Sequence, residues 1–284
     1  MVVKLTPKLT AIIPVLNPSL HRKTLTDILI NSRNVVDIIF VIDNSDELSV
    51  KDLETLDFLK HSPHGTALIV HGTFGNPGSA RNYGLKFVES EWITFWDADD
   101  RVWPEIYRDL VNENAGADVI VGEFETVRGT SRRISSTSNL IELAINPGLW
   151  RIIFRKSFFG EVEFPPLRMG EDQIFLMHLN LDNARIVFSK EILYEYNAMV
   201  VGQLTRSPAA LRELDCSVSF ASECLKKLSN HPYRSLILTS LNLTVLKQKH
   251  IPWSRKITSL VSLFGKSQAL AISKILYSRR KCRE

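Results

Sequence analysis

The chain has 284 residues, of which 44% are hydrophobic and 23% are charged, a composition that excludes an intrinsically disordered protein. Its formal net charge of +4 is too small to indicate nucleic acid as a partner. No apolar run in the sequence reaches the ~18 residues that a membrane span requires.

Short apolar runs alternate with helical patterns over the first 125 residues. We predict buried strands at residues 9–16, 35–42, 67–71, 92–97 and 118–124. Apolar spacing predicts helices at residues 23–32, 52–59, 79–88 and 105–114, with Ser79 as a helix cap. This alternation is typical of an α/β fold with a mostly parallel central sheet flanked by helices.

Three of the predicted strands end on polar residues: at Asn17, at residues 43–46 and at residues 97–100. In a parallel sheet these ends lie along one edge, which is where ligands bind in open α/β sheets. If the strand before Asp97 stays extended, Asp97 and Asp99 point to the same side and offer oxygen ligands to a hard divalent cation. Alternatively, these acids only begin a turn before the helix at Pro104.

The pattern changes after about Gly129. Residues 130–138 are polar and predict a mobile loop or an edge segment. A helix follows Gly170, residues 185–196 form a strand or a strand pair, and the chain beyond Pro208 is almost wholly helical. We therefore predict one domain at residues 1–205 and a helical C-terminal extension at residues 206–284.

The end of the chain is basic and amphipathic. Residues 255–283 contain eight Lys or Arg side chains and no acid, with apolar residues at helical spacing. Such a helix can lie on an anionic membrane surface, or it can pack on its own protein with its charges solvated. Since residues 1–8 lack the apolar core of a signal peptide, we expect a cytoplasmic protein, peripheral to the inner face of the membrane in the first case.

Six segments together resemble the family 2 glycosyltransferases, which have the GT-A fold. The resemblance covers about residues 9–205, with a nucleotide-sugar half at about 1–125 and an acceptor half at about 126–205. The similar segments, beside the family patterns, are AIIPVLN (IIPxYN), FVIDNS (VVDDGS), NPGSARNYGL (GxxxARNxG), WDADD (DADD), residues 146–158 with Trp150 and Arg155 (WxxxxRxxF), and GEDQIF (EDxxF). Their common order and spacing are more specific than any one of them.

The resemblance implies that this chain binds a nucleoside-diphosphate sugar, most plausibly a UDP-sugar, together with Mn²⁺ or Mg²⁺. Asp99 would be a metal ligand, and Asp97 would bind the ribose or belong to the metal shell. Arg81 would lie near the diphosphate, whose geometry suits a planar guanidinium. A divalent cation is needed because the leaving diphosphate gains negative charge.

Other site residues are also implied by the resemblance. Asp43 would accept a hydrogen bond from the base, while Pro14 and Asn17 would shape the nucleotide-binding wall. Asp172 would be the general base of an inverting transfer, with Glu171 beside it as an orienting or acceptor-binding residue. At the start of a helix, the dipole would favour both ionised carboxylates. The acceptor would be a glycan or a lipid-linked glycan.

Three alternatives remain at this point. A sugar nucleotidyltransferase shares the α/β layout but needs a Gly-rich, basic phosphate loop after the first strand, where this chain has Asn17-Pro18-Ser19. An aspartyl phosphatase carries its DxD motif at the end of the first strand, whereas here it comes near residue 97. A catalytically inactive, glycan-binding or scaffold protein is the third, although the retained acids argue against it.

Overall fold

The computed structural model describes residues 9–63, 65–200, 207, 210, 211, 213–228, 231–248, 251 and 256. They group into two compact units. The first unit runs up to Thr137 and also takes in Leu149–Glu161 and Ala184–Val200, and the second comprises Ser138–Gly148, Val162–Asn183 and the residues after position 200. Residues 162–183 thus group with the C-terminal helices, while the predicted domain boundary at residue 205 stays a prediction.

The first unit is built on a nine-stranded sheet in the order β3-β2-β1-β4-β8-β6-β9-β5, with β7 beside β6. The strands are β1 Leu9–Val15, β2 Asp37–Asp43, β3 Ala67–Gly72, β4 Trp92–Phe95, β5 Arg101–Val102, β6 Val119–Arg128, β7 Ser131–Ser135, β8 Ile152–Arg155 and β9 Ile186–Asn197. The α/β fold predicted from the sequence is confirmed. The first four strands are parallel, and the rest of the sheet is mixed because β8 runs antiparallel between β4 and β6.

Helices accompany the strands of this unit: α1 Arg22–Asn31, α2 Val50–Lys60, α3 Pro77–Leu85, α4 Pro104–Glu113 and α6 Lys156–Phe159. Short 3₁₀ segments occur at Pro18–His21 and Leu149–Arg151. The N-cap of α3 is Asn76 and not Ser79 as predicted, because the Asn76 side chain accepts a hydrogen bond from the Ser79 backbone N–H at 2.8 Å. The segment at residues 130–138 contains the edge strand β7, one of the two predicted alternatives.

Helix α3 packs closely on the two central strands. Gly84 makes this approach possible, since a Cβ at this position would lie 2.6 Å from Cγ2 of Ile12 and 2.9 Å from Cγ2 of Val41. Strands β1 and β2 supply this surface because almost every residue in them is apolar and buried. The contact fixes the position of the helix that carries Arg81.

The second unit is helical where the structure describes it. Its helices are α5 Leu140–Ile145, α7 Glu171–His178, α8 Leu214–Lys227 and α9 Pro232–Lys247, with a 3₁₀ segment at Leu181–Asn183. Of residues 255–283, the predicted basic helix, all but Lys256 lie outside the described residues. Within the described part of the chain, no helix has both the length and the apolarity to cross a membrane.

Candidate active site

An acidic loop, residues 97–100, follows β4 at the edge predicted from the sequence. Strand β4 ends at Phe95, and the Trp96 N–H extends its pairing by donating to the Ile12 carbonyl of β1 at 3.1 Å. The chain then turns, so that Asp97 and Asp99 are half-buried while Asp100 is buried. The loop therefore follows the carboxyl end of a central parallel strand.

Arg81 and the first two acids of the loop lie together. The Arg81 guanidinium is within 3.1 Å of Oδ1 of Asp97, and the Arg81 side chain is only 7% exposed. Burial raises the pKa of Asp97, the Arg81 charge opposes this shift, and the neighbouring Asp99 carboxylate adds to it. The site thus combines two carboxylates with one guanidinium in a poorly solvated place.

Asp100 has a different function in this loop, which the sequence did not indicate. Its Oδ1 accepts the backbone N–H of Asn197 at 2.7 Å, and its Oδ2 accepts the Tyr194 hydroxyl at 3.0 Å. The same hydroxyl accepts the Asp97 N–H at 3.1 Å, so Tyr194 links the two ends of the acidic loop. Burial and the charges of Asp99 and Asp97 raise the pKa of Asp100 to about 9.

Aromatic side chains hold Tyr194 in place. The Trp150 ring stacks on Tyr194 with centroids 4.3 Å apart and an interplanar angle of 12°. The Tyr107 hydroxyl donates to the Trp150 carbonyl at 2.6 Å, and Tyr107 packs edge-on against Trp96, next to the loop. Trp150 was singled out in the sequence as part of the acceptor-side motif, and here it supports the acidic loop from below.

Asp43 ends β2 and organises the loop before α3. Its Oδ1 accepts backbone N–H groups of Ser45 and Phe74 at 3.0 and 2.9 Å, and its Oδ2 accepts that of Gly75 at 2.8 Å. The residue is 7% exposed. Its predicted contact with the base stays a prediction, and any such contact would be added to three bonds that the carboxylate already makes.

Pro14 and Asn17 lie at the end of β1. Pro14 is half-buried, and exposed Asn17 adopts a left-handed conformation with φ 54°. The turn that follows is fixed by Asp52, whose Oδ1 accepts the Ser19 N–H at 2.8 Å. Burial raises the pKa of Asp52, but hydrogen bonds from Ser49 and Ser19 outweigh it and lower the pKa to about 2. Asp52 is a second supporting residue that the sequence did not reveal.

Glu171 and Asp172 belong to the second unit, where they form the first turn of α7. Glu171 is 7% exposed, and Asp172 is half-buried with its Oδ1 accepting the Gln173 N–H at 2.7 Å. A carboxylate in the first turn of a helix is stabilised by the helix dipole. The structure thus brings together Arg81, Asp97 and Asp99 in one unit, and Glu171 and Asp172 in the other.

The described residues contain no group of three or more His, Cys, Asp or Glu side chains arranged to hold a metal ion. A cation at the acidic loop would take at most two protein carboxylates, those of Asp97 and Asp99. This donor set fits Mg²⁺ or Mn²⁺, because such ions are commonly bound by one or two carboxylates, with substrate phosphates and water as the other ligands. It does not fit a structural zinc site, which needs four protein ligands.

The glycosyl transferase family 2 model matches residues 10–176 of this chain. The poly(ribitol-phosphate) β-glucosyltransferase of Bacillus spizizenii is 26% identical over 210 residues, which are 66% of this chain and 32% of that protein. Glycosyltransferase GlyG of Streptococcus pneumoniae is 21% identical over 268 residues, which are 86% of this chain and 85% of that protein. The chain spans only about a third or less of the first relatives that it matches.

Solved structures share the fold. Staphylococcus aureus TarS 1–349 in complex with UDP-GlcNAc superposes with a TM-score of 0.69 at 22% identity, covering 96% of this chain and 88% of that one. The mannosyltransferase PcManGT of Pyrobaculum calidifontis, in complex with GDP-Man and Mn²⁺, gives 0.58 at 12% identity, covering 97% and 81%.

Proposed function

Because the chain belongs to glycosyl transferase family 2, we propose that it is an inverting, metal-dependent glycosyltransferase that uses a UDP-sugar. The relatives named above act on poly(ribitol-phosphate) or were solved with UDP-GlcNAc or GDP-Man. The UDP-sugar is proposed here by similarity to them. The sugar itself is left open.

The observation that carries this proposal is the cluster of Arg81, Asp97 and Asp99 after β4. Two carboxylates beside a guanidinium suit a diphosphate and a divalent cation bound together, since each charge of one sign then meets the other. In this proposal Asp99, with Asp97, would hold Mn²⁺ or Mg²⁺, and Arg81 would bind the diphosphate. The bound ion would stabilise the negative charge that develops on the leaving group.

The proposed reaction is a single displacement. An acceptor hydroxyl oxygen attacks the anomeric carbon, the bond from this carbon to the diphosphate breaks, and UDP leaves with that electron pair. The hydroxyl proton goes to the carboxylate of Asp172, whose place in the first turn of α7 keeps it ionised. Glu171 would orient the acceptor, while Asp43, Pro14 and Asn17 would contact the nucleoside.

The proposed acceptor is a glycan or lipid-linked glycan, with polyol-phosphate polymers as first candidates because curated relatives act on poly(ribitol-phosphate). We also propose that the basic residues of segment 255–283 bring the enzyme to an anionic membrane surface, through charge attraction. Both proposals concern this chain together with any further domains that it has, since the relatives are longer.

The proposal is tested by a donor screen. UDP-glucose, UDP-GlcNAc and GDP-mannose are incubated with Mn²⁺ or Mg²⁺, with and without poly(ribitol phosphate), and release of nucleoside diphosphate is measured. We expect turnover of a UDP-sugar that stops when EDTA removes the metal. Asp99→Ala should lower this turnover by about 100-fold or more, because a lost metal contact removes several kcal/mol of transition-state stabilisation.

A matched control is Asp109→Ala, which removes an exposed acid whose side chain pairs with Arg108 on the surface of α4. This variant should keep wild-type turnover. If Asp99→Ala retained metal-dependent UDP binding and turnover, the acidic loop would not be the metal site. If the wild type turned over no sugar nucleotide, an inactive, glycan-binding or scaffold protein would become the better hypothesis.

A further inference from the structure

The N-terminal end of α7, where Glu171 and Asp172 lie, is packed against α8 and α9. Gly170 precedes these acids with φ 78°, and a Cβ there would be 3.2 Å from Cδ2 of Leu241 and 3.3 Å from Cβ of Ser217. The Ser217 hydroxyl donates a hydrogen bond to the Met169 carbonyl at 2.5 Å. The turn that introduces the two carboxylates is therefore held by a side chain of α8 that is only 1% exposed.

The C-terminal end of α7 is held by the first turn of α9. Arg234 donates from Nε to the Met177 carbonyl at 3.0 Å and from its guanidinium to the Leu179 carbonyl at 3.2 Å. The Tyr233 hydroxyl donates to the Leu179 carbonyl as well. A buried cation here is stabilised by the negative end of the helix dipole and by the carboxylate of Asp182 at 3.5 Å.

These contacts matter because α7 is short. A helix of eight residues is marginal on its own, so its position and direction are set by what it packs against. Its buried residues, Ile174 to Met177, supply non-directional packing, whereas the polar bonds at its two ends fix rotation and register. The direction of the first-turn carboxylates depends on both.

We propose that Ser217 and Arg234 are positioning residues for the carboxylates of Glu171 and Asp172. The C-terminal helices α8 and α9 are then part of the catalytic machinery, acting through α7. This inference rests on the proposed function, in which Asp172 removes the acceptor proton. It gives the helical extension a function distinct from the one proposed for the basic residues beyond 255.

The test compares Ser217→Ala with Ser222→Ala. Both serines are on α8, but the Ser222 hydroxyl donates to the Val218 carbonyl of its own helix at 2.8 Å. We expect Ser217→Ala to lower kcat for transfer to poly(ribitol phosphate) by about 10-fold, because small displacements of a reacting group are costly. The Kd for UDP with Mn²⁺ should not change, and amide hydrogen exchange of residues 169–173 should become faster in this variant alone.

Arg234 provides an independent variant at the other end of α7. Arg234→Met should lower kcat with unchanged UDP binding, and Arg234→Lys should restore part of it, since a lysine keeps the charge near the helix carbonyls. Equal kcat and equal exchange in Ser217→Ala and Ser222→Ala would overturn the inference while leaving the proposed function intact. If the wild type catalysed no transfer, the proposed function would be contradicted and this inference would fall with it.

Discussion

Tyr194 illustrates how one side chain organises the acidic loop. Its hydroxyl accepts the Asp97 N–H and donates to Asp100, and the residue is fully buried. The bond to Asp100 joins positions 94 residues apart in the sequence. A buried polar network of this kind rigidifies its members when every group is satisfied.

We expect Tyr194→Phe to lower kcat/KM for the UDP-sugar by about 10-fold, because the Asp97 N–H and the Asp100 carboxyl lose a shared partner. The matched control is Tyr107→Phe, which removes an equally buried hydroxyl that donates to the Trp150 carbonyl. Thermal unfolding should show a similar loss in both, about 1–2 kcal/mol in the free energy of unfolding. Equal losses of kcat/KM would show that the loop has no special dependence on Tyr194.

At the residue scale, the sequence indicated where the acids are but not what holds them. Asp97 and Asp99 were found because they follow an apolar strand, which is a local pattern. The partners of Asp100 and Asp52 come from distant parts of the chain, and such contacts leave no periodic signal. Arg81 was placed by its family motif, and its pairing with Asp97 became visible only in the structure.

At the scale of single elements, α3 links the nucleotide-side loop to the acidic loop. Asp43 binds the loop that leads into α3, Asn76 caps the helix, and Arg81 reaches Asp97 from it. The close packing at Gly84 leaves the helix little room to move. The position of Arg81 should therefore depend on how well the first turn of α3 is formed.

We expect Asn76→Ala to lower the free energy of unfolding by about 1 kcal/mol, the usual value of an N-cap side chain. It should also raise KM for the UDP-sugar several-fold, because Arg81 loses its fixed position. Asn139→Ala is a matched control, since Asn139 caps α5 in the second unit by accepting the Glu142 N–H at 3.0 Å. If both variants changed KM equally, the link from Asn76 to Arg81 would be refuted.

The elements themselves were largely predictable from the sequence. The first four strands agree with the predicted ranges to within about two residues, because fully buried parallel strands are unbroken apolar runs. The order and direction of β8, β6 and β9 were not predicted, since antiparallel insertion depends on contacts between distant segments. The cap of α3 was misassigned because Asn76 and Ser79 are both good capping residues.

At the scale of the whole molecule, the basic C-terminal segment should govern attachment to membranes. Replacing Arg279, Arg280, Lys281 and Arg283 with glutamine should weaken sedimentation with phosphatidylglycerol vesicles, at roughly 1 kcal/mol per charge. Added salt should weaken binding of the wild type through screening. Lys226→Gln with Lys227→Gln is the control on α8. Equal binding by both variants, or no binding by the wild type, would contradict a membrane function for this segment.

The two compact units suggest separate tasks, with donor and metal binding in the first and proton removal in the second. This separation could not be predicted from the sequence, which indicated a boundary at residue 205 and assigned the residues around Asp172 to the same domain as the acidic loop. Grouping of residues 162–183 with α8 and α9 depends on packing between segments that are far apart along the chain.

Asp172→Asn tests the proposed mechanism most directly. The amide keeps the size of the side chain and its bond from the Gln173 N–H, but it cannot take a proton from the acceptor. UDP affinity in Mn²⁺ and transfer to the acceptor are measured on the same preparation. We expect unchanged UDP affinity and a fall in transfer of about 10²–10⁴-fold, the usual contribution of a positioned general base. Full transfer activity, or loss of UDP binding together with transfer, would contradict the assignment of Asp172 as the base.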